Sequence, residues 1–315
     1  MAGSPDLWAM ESNPKFVFFT DFDGTITLQD SKYHARFLYK TAMGGMIEEH
    51  VWGKVEAGRY LANARLELEH SYLQRLIVSK TDNIGFGHAL RRQGNIDTLN
   101  GTKTFRDSFR EMMDSVTKPY DQCIKYLVEN IKLDPYFNEF FKWALENNVP
   151  VVVLSSGMEP IIKALLEHLV GPDYVKMQVV GNQVAPRAGK STINEEGGWQ
   201  IVFHDDSGFG HDKSLTLRPY AQLPEGTRPT MFYAGDGVSD LSAARETDLL
   251  FAKKGHDLIQ YCVREDIPFT VFADWKDILD KVKEIVAGKT SVKEAAAEGY
   301  AQFKSGQAGV NGSAK

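Results

Sequence analysis

Two short acidic segments of the sequence carry carboxylates at a spacing suited to catalysis or to a metal ion. Asp21 and Asp23 follow an apolar run and precede a glycine, and Asp236 and Asp240 lie in a second turn that contains glycines. Carboxylate oxygens are ligands that Mg²⁺ prefers, and a positioned carboxylate can also act as a nucleophile or as an acid and base. The two segments can therefore supply a Mg²⁺ cage and a catalytic pair.

A third and a fourth segment carry groups that bind anions. Ser155, Ser156 and Gly157 offer a hydroxyl and backbone amides ahead of a predicted helix, where an anion is favoured. Lys213 precedes another helical stretch, from which its ammonium can reach the same cleft. A carboxylate nucleophile, a metal cage, a cation and free amides are together the parts that phosphoryl transfer needs.

The chemistry that this set allows is hydrolysis of a phosphate ester. Asp21 and a phosphate would repel each other, and Mg²⁺ between them would neutralise that repulsion and orient the attack. Asp21 would then form an aspartyl-phosphate. Asp23, two residues further on, could protonate the leaving alkoxide and later activate water, which makes the turnover hydrolytic.

The elements that would position these residues alternate between strands and helices. Apolar, β-prone runs at residues 16–20, 149–154 and 230–234 each end just before one of the polar segments, and two further short strands are predicted at 248–251 and 269–272. Such alternation predicts an α/β fold with a doubly wound parallel sheet. Ligands of such sheets bind at the carboxyl ends of the strands, where these segments lie.

The spacing of the predicted strands divides the chain into domains. Residues 14–31 and 133–287 are expected to form a discontinuous Rossmann-like core, and residues 32–132, which contain no convincing strand, an inserted helical cap. Alternating segments within residues 176–203 predict a β-hairpin. Residues 288–315, rich in Ala, Gly and Ser, are expected to form a disordered tail.

The order of the four segments resembles that of a known family. Asp21-Phe-Asp-Gly-Thr, Ser155-Ser-Gly, Phe209-Gly-His-Asp-Lys-Ser and Gly235-Asp-Gly-Val-Ser-Asp, with a helical insertion after the first, resemble haloacid-dehalogenase-superfamily phosphatases of the phosphoserine-phosphatase-like branch. The likeness covers nearly the whole chain. In detail the segments resemble the fungal sugar-alcohol phosphatases and, more distantly, the methylthio-ketopentenyl phosphatases of methionine salvage.

That resemblance implies a haloacid-dehalogenase-like, Rossmannoid core with a helical cap and a role for each residue. Asp21 would be the nucleophile and Asp23 the acid and base, with Ser155, Ser156, Gly157 and Lys213 binding phosphate and Asp30 approaching the substrate from the cap side. The Mg²⁺ site would comprise Asp21, Asp23 through its carbonyl, Asp236 and Asp240, the last orienting either the lysine or the metal shell.

The substrate expected from the resemblance is a small phosphorylated metabolite, with sugar-alcohol (polyol) phosphates preferred. Phosphoserine and the methylthio-ketopentenyl phosphate of methionine salvage are the alternatives within the same reaction. A catalytically silent binding protein that keeps the fold is the alternative from another class. That last hypothesis predicts a missing nucleophile or metal ligand, and none of the expected residues is missing.

One segment departs from the family pattern. After Asp30 the fungal relatives pass quickly into a sequence like the one that begins at Lys80, whereas here residues 32–79 intervene. This segment is either an elaboration of the cap or an intron translated in a mis-spliced gene model. The chemical residues all lie outside it.

Composition and charge exclude several other classes. A net charge of −6 disfavours nucleic acid as a partner, because phosphate backbones need a basic surface. No apolar run has the length of a membrane span or precedes a cleavage site, so we expect no membrane association and a cytoplasmic location. The two cysteines form no metal-ligand pattern. The sequence indicates no oligomeric state.

Overall fold

The fold is described from a computed structural model. It describes residues 7–28, 101–256 and 258–309, together with seven single residues between 85 and 98, and leaves out the Val238 side chain. Asp30 and the segment 32–79 lie outside these described residues, so the expectations about them stay predictions.

The core is a seven-stranded sheet of mostly parallel strands, in the order β4-β3-β2-β1-β5-β6-β7. The strands are β1 (Phe16–Thr20), β2 (Val151–Met158), β3 (Gln178–Pro186), β4 (Trp199–Val202), β5 (Thr230–Gly235), β6 (Leu249–Lys253) and β7 (Phe269–Phe272). All five strands predicted from apolar runs are present. Among the strands of the described residues only β4 runs antiparallel to its neighbour, which confirms the hairpin predicted within residues 176–203.

Nine α-helices are found among the described residues. They are α1 (Phe105–Asp114), α2 (Tyr120–Asn130), α3 (Phe137–Glu146), α4 (Glu159–Val170), α5 (Lys213–Ala221), α6 (Leu241–Ala244), α7 (Leu258–Arg264), α8 (Trp275–Val286) and α9 (Val292–Lys304). Within that described set, no helix combines the length and apolarity that crossing a bilayer requires.

The sheet is covered by apolar side chains on both faces. Phe18 on β1 and Phe232 on β5 belong to one buried cluster, which includes side chains of α3, α4 and α8. Phe19 and Tyr233, the next residues along the same strands, belong to a second cluster with side chains of α5 and α7. Successive side chains of a strand point to opposite faces, so this division confirms the doubly wound architecture.

The expectation of a disordered tail is wrong for residues 292–304, which form α9. Ser291 and Glu294 cap its start reciprocally, each side chain bonding the backbone of the other. A Cβ at Gly299 would lie 2.3 Å from the carbonyl oxygen of Phe269, so this face of the helix lies against the backbone of β7. Small residues that suggest disorder by composition here permit close packing.

The described part of the predicted cap does not pack as a separate unit. Buried side chains of α1 and α2, including Phe109, Met113 and Leu127, share the first hydrophobic cluster with Phe18 and Phe232 of the sheet. The division between a core and a cap at residues 32–132 therefore stays a prediction for the segment outside the described residues.

Candidate active site

The polar segments meet at one edge of the sheet because the central strands are in register. Thr20, the last residue of β1, lies opposite Ala234 on β5 and Val153 on β2. Asp21 therefore leaves the sheet between the turn that carries Asp236 and the loop that carries Ser155. This is the carboxyl edge at which ligands of parallel sheets bind.

Lys213 is the hub of the buried polar groups at this edge. The residue is only 1% exposed, and its Nζ donates to Asp21 Oδ1 at 2.7 Å, to Asp240 Oδ1 at 2.6 Å and to the Tyr233 hydroxyl at 3.0 Å. The Tyr233 hydroxyl in turn donates to Asp240 Oδ1 at 2.7 Å. All three donor positions of the ammonium are thereby used, which fixes the lysine beside the predicted nucleophile.

Asp240 holds the turn that carries Asp236. Its Oδ2 accepts hydrogen bonds from the backbone amides of Asp236 and Gly237, both at 3.0 Å. A Cβ at Gly235 would lie 2.6 Å from the Asp240 carboxylate, so a glycine is required at that point of the turn. Because Lys213 and Tyr233 occupy Oδ1, both Asp240 oxygens are engaged within the protein, which suits an orienting role better than direct metal ligation.

The charges at this edge perturb one another strongly. Burial raises the pKa of the Asp21 carboxyl well above its ordinary value; Lys213 opposes that shift, and Asp240 and Asp236 add to it. Burial alone would lower the Lys213 pKa, but Asp21 and Asp240 raise it above its ordinary value. The lysine is therefore a permanent cation, and negative charge is in excess around it.

The residues present fit a divalent cation. Asp21, Asp236 and Asp240 each place a buried carboxylate oxygen within 4.8 Å of the others. Lys213 is in direct contact with two of these carboxylates, Asp21 and Asp240, and the His256 ring lies 3.5 Å from the third, Asp236. Buried carboxylates in excess of cations are costly unless a metal compensates them. The acidic cluster can thus hold a metal ion.

The loop after β1 is fixed by a glycine turn and by contacts with Trp275. Gly24 has a φ of 77°, which favours glycine, and turns the chain immediately after half-buried Asp23. The indole nitrogen of Trp275 donates to the Thr25 carbonyl at 2.7 Å, and the Trp275 backbone amide donates to the Asp134 carboxylate. These contacts hold in place the two aspartates that the sequence predicts to be catalytic.

The loop after β2 is tied to the lysine segment. Ser155 is buried, and its Oγ accepts a hydrogen bond from the Gly157 amide at 3.0 Å, which leaves the hydroxyl hydrogen available to a ligand. The Ser155 carbonyl lies 2.8 Å from Nδ1 of His211, two residues before Lys213. The predicted phosphate ligands thus belong to one connected network.

The structure brings most of the predicted site residues to this edge and adds others that the sequence analysis missed. Asp21, Lys213, Asp236 and Asp240 converge directly, and Asp23 and the loop 155–157 flank them. Asp30 lies outside the described residues. The side chains to which the sequence analysis assigned no role are Tyr233, His211 and Asn182. Of these, only the position of His211 next to Lys213 gave a signal in the sequence.

Mostly parallel sheets with a polar carboxyl edge occur in several families of enzymes, so the family is decided by sequence comparison. The family model described as haloacid dehalogenase-like hydrolase matches residues 18–245. The chain belongs to this family, as the order of its four segments indicated.

Two curated fungal proteins are similar to the chain along nearly their whole length. Pdp3-interacting factor 1 of Schizosaccharomyces pombe is 43% identical over 270 residues, which cover 85% of this chain and 95% of that protein. Polyol phosphate phosphatase PYP1 of Saccharomyces cerevisiae is 41% identical over 287 residues, covering 89% and 98% respectively. A 2-hydroxy-3-keto-5-methylthiopentenyl-1-phosphate phosphatase of Bacillus cereus is 28% identical over 55% of this chain and 74% of its own length.

Among solved structures, a probable phosphoserine phosphatase from Vibrio cholerae matches with a TM-score of 0.53 at 15% identity. The match covers 92% of this chain and 70% of that one. At this identity the likeness concerns the fold alone, and it agrees with the sheet described above.

Proposed function

We propose that the protein is a Mg²⁺-dependent phosphomonoesterase that acts on polyol phosphates through an aspartyl-phosphate on Asp21. The observation that carries the proposal is the buried contact of Asp21 with Lys213, next to the acidic cluster of Asp236 and Asp240. A silent binding protein would have no use for so costly an arrangement of buried charges.

Each residue of this site has a defined task in the proposed reaction. Lys213 holds Oδ1 of Asp21, so that the carboxylate is fixed in orientation and Oδ2 is left to attack the phosphorus. Asp23 donates a proton to the leaving alkoxide as the ester P–O bond breaks. It then accepts a proton from the water that hydrolyses the aspartyl-phosphate, which releases phosphate and restores Asp21.

The remaining polar groups bind the phosphate and the metal ion. The Ser155 hydroxyl and the Ser156 amide would bind the non-bridging oxygens. Lys213, whose three donors already bond within the protein, would favour the phosphate through its charge, and the Gly157 amide would act through Ser155 Oγ. Asp21, Asp236 and the Asp23 carbonyl would hold Mg²⁺, with Asp240 orienting the turn. When bound there, Mg²⁺ would neutralise the repulsion between the nucleophile and the phosphate.

The polyol preference rests on the relative that carries this activity in its name, a polyol phosphate phosphatase 41% identical over nearly its whole length. A screen of polyol phosphates, sugar phosphates, phosphoserine and the methylthio-ketopentenyl phosphate tests it. We expect the highest kcat/KM with a polyol phosphate. A clear preference for phosphoserine would overturn the substrate class and leave the reaction type standing.

The reaction type is tested by phosphate release from p-nitrophenyl phosphate. We expect Asp21→Asn to lose at least about a thousand-fold in kcat, because the nucleophile is removed while its shape is kept. Chelation of Mg²⁺ should abolish the wild-type rate. Asp173→Asn, at an exposed acid paired with Lys176, is the matched control and should retain full activity. Equal rates of phosphate release for wild type and Asp21→Asn would refute the assignment of Asp21 as the nucleophile.

A further inference from the structure

Two buried side chains hold the loop 155–157 by its backbone carbonyls. His211, 2% exposed, lies with Nδ1 2.8 Å from the Ser155 carbonyl oxygen. Asn182 on β3, fully buried, donates from Nδ2 to the Ser156 carbonyl at 2.8 Å. Two consecutive carbonyls of a predicted phosphate-binding loop are thus each bound by a side chain from a distant part of the chain.

These contacts occur where the regular backbone hydrogen bonding between β2 and β3 is interrupted. β2 and β3 pair regularly up to Leu154, and the register then shifts before Met158. Such an irregularity leaves backbone groups without their ladder partners. His211 and Asn182 provide the hydrogen bonds that the interrupted ladder does not.

The tautomer of His211 follows from its partner. A carbonyl oxygen only accepts, so Nδ1 carries the proton. Nε2 is buried and has no hydrogen-bond partner within the part of the chain that the structure describes. An apolar side chain would fill this volume without burying an unsatisfied nitrogen, so the bond to Ser155 gives the reason for an imidazole at this position.

The directions of the amides follow from the planarity of the peptide bond. In a trans peptide the carbonyl and the following N–H point in opposite directions, and the described chain contains no cis peptide. A carbonyl of Ser155 drawn toward His211 therefore turns the Ser156 N–H away from that ring. In the same way Asn182 sets the direction of the Gly157 N–H, which donates to Ser155 Oγ.

The loop that carries His211 is itself fixed. Asp205 accepts the Asp212 amide at 2.7 Å and the Ser207 amide at 2.9 Å, and its own amide donates to the Gly210 carbonyl. The amide of His204 donates to Asn182 Oδ1 at 2.9 Å, which ties Asn182 to the start of the segment that leads to His211. Movement of His211 would thus disturb Ser155 and Lys213 together.

We infer that His211 and Asn182 are positioning residues for phosphate binding. By drawing the Ser155 and Ser156 carbonyls back, they keep negative carbonyl oxygens away from the bound phosphate and turn the Ser156 amide toward it. They also hold the Gly157 amide on Ser155 Oγ, which leaves the Ser155 hydroxyl hydrogen for the phosphate. This inference rests on the proposed function, because it assumes that phosphate binds at this loop.

The test is the Kd for inorganic phosphate in the presence of Mg²⁺, measured by calorimetry, together with KM and kcat for p-nitrophenyl phosphate. We expect His211→Leu and Asn182→Ala each to raise the Kd and the KM roughly ten-fold, the loss of about one oriented hydrogen bond. His211→Asn should restore the Kd to within about three-fold of wild type, since its amide can donate from nearly the position of Nδ1.

His204→Ala is the matched control. Its ring lies 4.6 Å from that of His211, but its side chain bonds neither loop carbonyl. We expect an unchanged Kd. If His211 has a purely structural role, His211→Leu will lower the melting temperature and kcat and leave the Kd for phosphate unchanged, which would overturn the inference. A rise of the Kd in His204→Ala equal to that in His211→Leu would overturn it as well.

The two proposals fail separately. If the wild type binds phosphate but hydrolyses no ester, the proposed function fails while the Kd comparison still decides the inference. If the wild type hydrolyses esters and His211→Leu binds phosphate normally, the inference fails and the function stands. A wild type that binds no phosphate overturns the inference.

Discussion

Asp240 shows how one buried side chain can serve a site without touching the substrate. One of its oxygens fixes the cation and the other fixes two amides of the Asp236 turn. An amide in place of this carboxylate cannot accept on both sides, because one end would be a donor. Asp240 therefore contributes by fixing the geometry of Lys213 and of the Asp236 turn. Its replacement should change how the activity depends on the Mg²⁺ concentration.

We predict that Asp240→Asn lowers kcat/KM roughly a hundred-fold and raises the Mg²⁺ concentration needed for half-maximal activity, because residues that support metal ligands typically have effects of about 10- to 100-fold. Tyr233→Phe is the matched control, since it removes one hydroxyl from the same Asp240 oxygen and keeps the ring. Tyr233→Phe should lower kcat/KM by less than about ten-fold. Equal losses in the two variants would contradict the role given to Asp240.

His211 also gives a prediction about stability against pH. Burial lowers its pKa to about 4; the Ser155 carbonyl and Asp205 oppose that shift, and the electrostatic interactions with His204 and Lys213 add to it. Between pH 6.5 and 4 the unfolded chain binds a proton that the folded chain does not. The buried neutral ring of His211 therefore contributes fully to the free energy of unfolding above pH 6.5. This contribution, on the order of 3 kcal/mol, is lost as the pH falls toward 4.

The measurement is the free energy of unfolding by urea at several pH values. His211→Asn removes the titrating group and keeps a donor for Ser155, so its stability should fall less than that of wild type between pH 6.5 and 4.5. Parallel curves for the two proteins would show that His211 is not buried as a neutral ring.

At the scale of elements, the site depends on where helices and strands end. α5 begins at Lys213 with an N-cap from Asp212, whose side chain accepts the Ser214 amide, and this fixes the lysine at the first helical position. β5 ends at Gly235, where the glycine lets Asp240 approach. The ends of these two elements bring a cation and its carboxylate partner together.

The C-terminal helix provides a prediction at this scale. Helix propensity alone would make Gly299→Ala stabilising by up to about 1 kcal/mol. Its Cβ, however, would meet β7 backbone atoms at 2.3 Å and 2.7 Å. We therefore expect a loss of about 1–3 kcal/mol in urea unfolding.

Ala297→Gly on the exposed side of the same helix is the control. It should cost about 1 kcal/mol through propensity alone. A stabilised Gly299→Ala would show that α9 does not dock on β7, and an unaffected Ala297→Gly would show that the helix is not formed.

For the whole molecule, the acidic cluster couples metal binding to stability. Three buried carboxylates lie together in a chain whose net charge is already −6, and Lys213 forms ion pairs with two of them, Asp21 and Asp240. Mutual repulsion of these carboxylates opposes folding in the absence of a cation. A ligand that binds only the folded state stabilises it by mass action.

We expect Mg²⁺ at about 100 times its Kd to stabilise the wild type by about 2.7 kcal/mol, seen in a chain of 315 residues as a rise in Tm of roughly 4 °C. Asp236→Asn should melt at the same or a higher temperature than wild type without metal and respond little to Mg²⁺. Asp173→Asn should respond like wild type. A Tm of the wild type that does not change with Mg²⁺ would contradict a metal site in this cluster.

Much of this organisation was readable from local sequence. Strands β1 and β7 were predicted at their observed bounds because short β-prone apolar runs with polar ends suit strands buried on both faces. The convergence of Asp21, Lys213 and Asp236 was predictable because each follows a strand or precedes a helix, and parallel strands share their carboxyl edge.

Other features were hidden from sequence because they depend on partners far along the chain. Tyr233 lies in an apolar strand, yet its hydroxyl reaches Lys213 and Asp240. Asn182 and His211 act on carbonyls 26 and 56 residues away. α9 can pack against β7 because Gly299 has no side chain. From composition alone, the small residues of this segment suggest disorder.

The amino-acid sequence by itself determined which groups are available and at which edge of the sheet they emerge, because strand and helix periodicity are local properties. The tertiary structure decided which of these groups share hydrogen bonds and how far burial shifts their pKa values. Both depend on the distances between side chains and on the exclusion of water, which exist only once the sheet and its helices have packed.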